Sequence, residues 1–453
     1  MDRQESRFAR NLGVKEIIAL AFGAAIGWGW VVLSGDWLKT GGTLGAILAF
    51  LIGGLIVVFV GMAYAELCPA MPQCGGEHVF SLRALGYNGS FVCSWALVLC
   101  YFGVVAFEAC ALPSVVEFVI PNFLQGYLYT VAEFDIYLTY VAVGVGSALL
   151  ITYINYIGVE VASGVQKIFT FIILTVGVLL IVSAFVTGDV ENTRPLFENG
   201  SSGVLSVAVM TPFFLVGFDV IPQAAEETTL PIKIIGKLMI FSILIAVFWY
   251  CLIIFAVSML MDRASIMDAD LCTAEALASA WGSYGGFASV VVVVGGIAGI
   301  MSSWNAFLVA GSRVLFAMSE NNMLPRFFSK IHPKYKTPSN AILFLGSISC
   351  LAPLFGKVMM TWISNAASMA TIVAYGFVVL SFLVLRKKEP DMERPYRVPA
   401  GKAVGTVGIV LVIGMFILYL PGMPSGLQIS EWCIIGLWTL LGLCMYKYSR
   451  RRK

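Results

Sequence analysis

Charge is what this sequence has least of. Only 12% of its 453 residues are Asp, Glu, Lys or Arg, about half the ~25% of a soluble globular protein, which excludes an ordinary water-facing surface. Histidine is nearly missing, with His78 and His332 alone, so a histidine-built metal centre or acid-base site has almost nothing to draw on. The ten cysteines fall mainly in apolar stretches (Cys93, Cys100, Cys110, Cys251, Cys350, Cys433, Cys444) without regular spacing or a CxxC pair. They read as small apolar side chains, not as a disulfide or metal framework. There is no phosphate-binding glycine loop and no nucleophile-base pair at a recognisable spacing. An enzyme is therefore not expected, and neither are a cofactor, a bound metal or a nucleic-acid partner; the net charge of +2 leaves no electrostatic footprint for the last.

What the chain has instead is apolar length, with 59% hydrophobic residues. A span needs about 20 of them, and twelve candidates appear: 14–37, 42–66, 89–119, 134–156, 161–186, 203–223, 232–261, 284–318, 338–356, 361–385, 403–422 and 429–447. The first follows Arg3, Arg7 and Arg10, is too long for a signal segment and lacks a small-residue cleavage site, so it is expected to stay. With the N-terminus placed in the cytoplasm, all of the 28 Lys and Arg except Lys39, Arg194, Arg263 and Lys357 fall on the cytoplasmic side. That asymmetry predicts cytoplasmic N- and C-termini in a multi-pass protein of the cell (plasma or inner) membrane, with the bilayer as its solvent.

Two spans are interrupted where a membrane helix should be tightest. The first carries Gly23-Ala24-Ala25-Ile26-Gly27-Trp28-Gly29-Trp30, and the sixth carries Pro212-Phe213-Phe214-Leu215-Val216-Gly217-Phe218-Asp219-Val220-Ile221-Pro222. An unpaired backbone group in hydrocarbon costs several kcal/mol, so such breaks are expected where the freed groups hold a ligand. Glycine permits the unwinding, Pro222 removes a donor, and Asp219 puts a carboxylate where one is costly. Either break alone reads equally well as a packing kink. Together, in matching places of two halves, they point to a binding site at mid-membrane depth.

The sixth-span segment FFLVGFDVIPQAAEET (213–228) resembles the corresponding motif of the amino acid-polyamine-organocation superfamily, particularly its cationic amino acid transporter branch. YAELCPAMPQCGGEHVFSLRALG (64–86) is similar to that superfamily's second-span exit and the loop after it, GSRVLFAMSENNMLPRFFSKIHPKYKTPSNA (311–341) to its eighth-to-ninth-span loop and ERPYRVP (393–399) to its loop before span eleven, in order along the chain. The resemblance implies an all-α integral membrane protein, one permease domain over 1–453, with twelve transmembrane helices. Ten of these form a five-plus-five inverted repeat of the leucine-transporter type, over about 14–186 and 203–385, and two extra helices follow at about 403–447. It implies secondary transport of amino acids by alternating access, driven by H⁺, Na⁺ or a counter-substrate. Organic amines or polyamines remain open as substrates, and a non-transporting amino acid sensor is a further alternative.

The implied site is intelligible physically. Amides around Ile26, Gly27, Trp28 and Gly29 carry the positive end of a half-helix and suit a carboxylate, while carbonyls around Phe213, Phe214, Val216 and Gly217 suit an ammonium. Phe213 is the expected gate. Trp28 stands where many members have a small serine, and either narrows the pocket, offers a face to a cation, or packs between helices. Glu108, deep in the third span, is expected to neutralise a cationic substrate, carry a proton or pair structurally, and Asp219 to act in coupling or to link the broken helix to its neighbours. Glu226 and Glu227 are expected to cap or bridge helices at the inner gate. Ser302 and Ser303 offer hydroxyls for a possible sodium site, or bond within their own helix. Lys167 is expected to snorkel to the cytoplasmic surface, since Ile173 occupies the place of the lysine in proton-coupled relatives. Both histidines are expected in cytoplasmic loops.

Overall fold

A computed structural model describes residues 12–450 except 121, 133, 230, 270, 424 and 425. Arg3, Arg7, Arg10 and the basic residues at 451 to 453, which the charge asymmetry uses, lie outside the described residues.

Long apolar runs become helices because only a helix satisfies its own backbone in hydrocarbon. In chain order these are α1 Val14–Ala25, α2 Gly29–Val32, α3 Ser34–Ala70 and α4 Glu77–Val119. A hairpin follows (β1 Tyr127–Val131, β2 Phe134–Tyr137), then α5 Leu138–Tyr156 and α6 Val159–Thr187. Three short pieces come next, α7 Gly200–Ala208, α8 Thr211–Leu215 and α9 Val220–Gln223. The rest is α10 Ile232–Leu260, α11 Arg263–Asp268, α12 Cys272–Trp281, α13 Gly285–Glu320, α14 Ser339–Leu351, α15 Val358–Lys388, α16 Gly401–Leu418 and α17 Ile429–Arg450. Among the described residues, ten helical stretches are long and apolar enough to cross a membrane, and Ser339–Phe355 is a shorter apolar one.

Position in the bundle follows side-chain burial. Within its most apolar window the Glu77–Val119 helix is 89% buried and Ile429–Arg450 only 17%, so α4 is central and α17 peripheral. α4 packs between α13 and α15, and α3 packs along α10. Outward faces of α6 and α17 expose Phe171, Phe185, Val186, Leu437 and Leu440. Apolar surface of this kind is stable against lipid and a liability against water.

Several boundaries differ from the expected ones. The span expected at 89–119 belongs to a helix beginning at Glu77 that turns at Gly86, so His78 is a buried residue of the first turn of α4 and not a loop residue. The first four residues of the expected 134–156 span are β2, where Thr130 faces Asp135 and Val131 faces Phe134 in an antiparallel ladder. Alternating β-branched and aromatic residues favour that pairing over a first helical turn. Two helices were not anticipated, α11 and α12; Asp262 caps the former by accepting from the Ser265 N–H at 2.9 Å.

Candidate functional site

The backbone ladder of the first span stops where the glycines are. Ile26 N–H donates to Phe22 O at 2.9 Å, and the next bond is from Val31 N–H to Trp28 O at 2.9 Å. Among the described residues the amides of 27 to 30 have no backbone acceptor. In the sixth span, Val216 N–H donates to Pro212 O at 3.1 Å and Val220 N–H to Gly217 O at 3.2 Å. The carbonyls of Phe213, Phe214, Leu215 and Val216 receive no backbone donor among the described residues. One break thus leaves donors free and the other leaves acceptors free.

The two breaks are packed against each other. A methyl group at Gly217, whose φ is +135°, would lie 2.6 Å from Ala25 N and 2.9 Å from Ala25 Cα. One at Gly29 would meet the Phe214 ring at 2.5 Å. Tyr250 on α10 donates its hydroxyl to Ala25 O at 2.9 Å, capping the end of α1. On the α2 side of the contact the rings form an aromatic roof: Trp37 lies against Phe214 with centroids 5.2 Å apart and Phe50 stacks on Tyr250 at 4.8 Å. Phe213 meets Phe107 edge to face at 5.7 Å and is 7% exposed, which seats it within this closure.

The amino acid permease family model matches residues 16–453. The chain belongs to the amino acid permease family. It is a permease of the amino acid-polyamine-organocation superfamily, a group of transporters and not of enzymes. It is 28% identical to the branched-chain amino acid permease BcaP of Bacillus subtilis over 99% of this chain and 94% of that one. It is 26% identical to the methylthioribose transporter of the same organism over 98% of this chain and 94% of that one. To cationic amino acid transporter 4 of Mus musculus it is 26% identical over 84% of this chain and 60% of that one.

The acids of this permease are held quite differently from one another. Asp219 is bonded at both oxygens: Gly217 N–H donates to Oδ1 at 2.8 Å and Tyr101 hydroxyl to Oδ2 at 3.0 Å, which ties the break of span six to α4. Glu108, 3% exposed, accepts from the Ser303 hydroxyl on Oε1, while Oε2 has no partner among the described residues. Both Glu108 Oε1 and Ser303 Oγ stand 2.9 Å from where a methyl on Gly27 would sit, so they flank the first break. Ser302 turns elsewhere. Its hydroxyl accepts from Gln166 Nε2 at 2.7 Å, within an amide chain in which Asn305 Nδ2 donates to Gln166 Oε1 at 2.8 Å and Asn155 Nδ2 to Asn305 Oδ1 at 2.9 Å. The two serines therefore serve different helices. Lys167 pairs with Glu16 at 2.9 Å with 47% of its side chain exposed, Ile173 is core, and Glu226 accepts from Cys74 N–H at 2.9 Å.

Trp28 lies on α13. A methyl at Gly296 would fall inside the indole and one at Gly299 would stand 2.7 Å from Gly27 O, so two glycines one turn apart form the bed on which the first break rests. This is the packing alternative for Trp28, and no spacing within span one announces it. Gly296→Val is expected to expel the indole toward the break and to lower the apparent affinity for substrate at least tenfold, about 1.4 kcal/mol, with smaller loss for Gly296→Ala. Equal transport by both variants and the parent in vesicles would show that the indole's seat is unimportant. Tyr250, Tyr101 and Gln166 are neighbours of the breaks that the sequence pattern did not single out, since their bonds go to acceptors in other helices.

Proposed function

We propose that this permease is a secondary active transporter that binds a zwitterionic amino acid between the two breaks and moves it by alternating access. The single observation supporting this most is the complementarity of the free amides of residues 27 to 30 with the free carbonyls of residues 213 to 216, brought together by the Gly217–Ala25 contact. A half-helix start suits the carboxylate and the exposed carbonyls suit the ammonium. Phe213 closes over the bound molecule, and Val216 and Gly217 form the floor at the ammonium end. Counting α7 to α9 as one broken span, and α14 with its continuation to Phe355 as another, twelve spans result. Spans one to five and six to ten are then inverted repeats in the cell membrane with both termini in the cytoplasm.

Glu108 is the coupling acid of this reading: one of its oxygens is bonded to Ser303, the other has no partner among the described residues, and the first break is beside it. The same placement supports a second reading in which an organic amine or polyamine is carried with Glu108 as its counter-charge. A relative named for methylthioribose is a reason to test beyond amino acids. Uptake into proteoliposomes, competed by a panel of amino acids and their decarboxylated analogues, separates the two. Competition by amino acids alone is the expected result, and competition by the amines alone would replace it with the second reading. Sodium, proton and exchange coupling are distinguished in the same vesicles by imposing one gradient at a time; Ser302 and Ser303 become ligands only if a sodium gradient alone drives uptake.

A further inference from the structure

Beneath the break of span six lies a second enclosed group of polar side chains: Tyr64, Glu77, Tyr101, Asp219, Gln223 and Tyr375, each with no solvent exposure. They come from α3, α4, span six and α15. The rings knit them together around Phe218, with Tyr64 5.1 Å from Phe218 and 5.9 Å from Tyr375, and Phe218 5.7 Å from Tyr375. The two carboxyl groups differ in their partners. Asp219 has a donor on each oxygen, as an ionised carboxylate requires. Glu77 accepts from Gln223 Nε2 on Oε2, with the Tyr64 hydroxyl the next donor beside its carboxyl; no bond of ordinary length reaches Oε1 of Glu77, the Tyr375 hydroxyl or Oε1 of Gln223 among the described residues.

No basic side chain is paired with Glu77 among the described residues. His78 directs its ring away, Nδ1 to the hydroxyls of Ser94 and Ser90 at 3.0 and 3.1 Å and Nε2 to the amide of Asn321 at 3.0 Å. Arg313 is bound to Glu227 at 2.9 Å. Among the described residues the thiols of Cys68, Cys93 and Cys100 also lie near the two carboxyl groups, and none of them is cationic. Glu77 opens α4, and a helix start lends about half an elementary charge, partly offsetting a full negative one. Two neighbouring carboxylates in a low-dielectric site do not both ionise readily.

We propose that Glu77 is a proton-binding site of this permease: in the closed conformation it carries a proton on its carboxyl while Asp219 stays ionised. When span six withdraws Gln223 and the chamber opens, the proton passes to water and the carboxylate is solvated. The ligand is thus a proton, bound and released on the side opposite the aromatic roof. Only the consequence, coupling proton release to opening, rests on the transport reading; the protonation itself does not.

The test uses the purified full chain without substrate. Infrared difference spectra of the parent against Glu77→Gln at neutral pH are expected to show loss of a protonated-carboxyl C=O band that shifts in heavy water. Loss of carboxylate stretching intensity in its place would overturn the proposal. Should Glu77→Gln fail to fold, Glu77→Asp moves the same band: a shift of the protonated band supports the proposal, and a shift of the carboxylate bands sinks it. A lost protonated band in a protein that transports no amino acid would leave this site standing and refute the transport reading alone.

Discussion

Gly217→Ala is expected to cost about 3 kcal/mol or more and to leave little folded protein in the membrane. Two separate penalties meet at this position. The backbone stands at φ +135°, where an L side chain is strained, and the added methyl would press on backbone atoms Ala25 N and Cα at 2.6 and 2.9 Å. Neither contact is the end of a flexible side chain, so relief requires moving span one away from span six. Thermal melting in detergent measures the loss, with Gly414→Ala as the comparison, since a methyl there meets nothing within 4 Å. At that helical position alanine is expected to be neutral or to add about 0.5–1 kcal/mol. Parent-like melting of Gly217→Ala would show that the two breaks do not pack as described.

The second large effect belongs to the ion pair at the end of span six. Arg313 and Glu227, with side chains 2% and 1% exposed, join α13 to the segment following α9 at 2.9 Å, and Arg313 also donates to the Ser312 hydroxyl at 2.9 Å. Arg313→Ala leaves the Glu227 carboxylate buried without this partner and is expected to cost about 3–5 kcal/mol, and Glu227→Ala less, since Arg313 keeps its bonds to Ser312 and Val309. Replacing both by methionine removes two charges together and is expected to melt closer to the parent than either single variant. A single variant that costs under about 1 kcal/mol would mean that water reaches the pair.

The parts of the fold legible in the sequence are those governed by local rules. Apolar length announces the spans, and Gly27, Gly29 and Gly217 with Pro222 announce the breaks, because backbone freedom and a missing donor are properties of single residues. Glu227 was expected to bridge helices, and it does so through Arg313. What stayed hidden was set by partners distant along the chain. Nothing around Trp28 says that Gly296 and Gly299 will lie beneath it. Glu77 and His78 sit in a stretch too polar to read as membrane helix, and only Gln223, Ser90, Ser94 and Asn321 explain their burial. The hairpin at 127–137 was read in part as helix because a short alternating run and a helical first turn share the same residues.

The start of the described chain carries a mechanical consequence. Leu12 N–H donates to Glu227 O at 3.1 Å, and Leu12 O accepts from Thr229 N–H at 2.9 Å and from the Thr229 hydroxyl at 3.2 Å. These bonds, each worth about 1 kcal/mol net, hitch the stem of α1 to the segment leaving α9. Helix α1 and the stretch from Gly217 to Thr229 are thus joined at both ends, at Ala25–Gly217 and at Leu12–Thr229. They form a closed frame, so a pull on either arm is felt by the other.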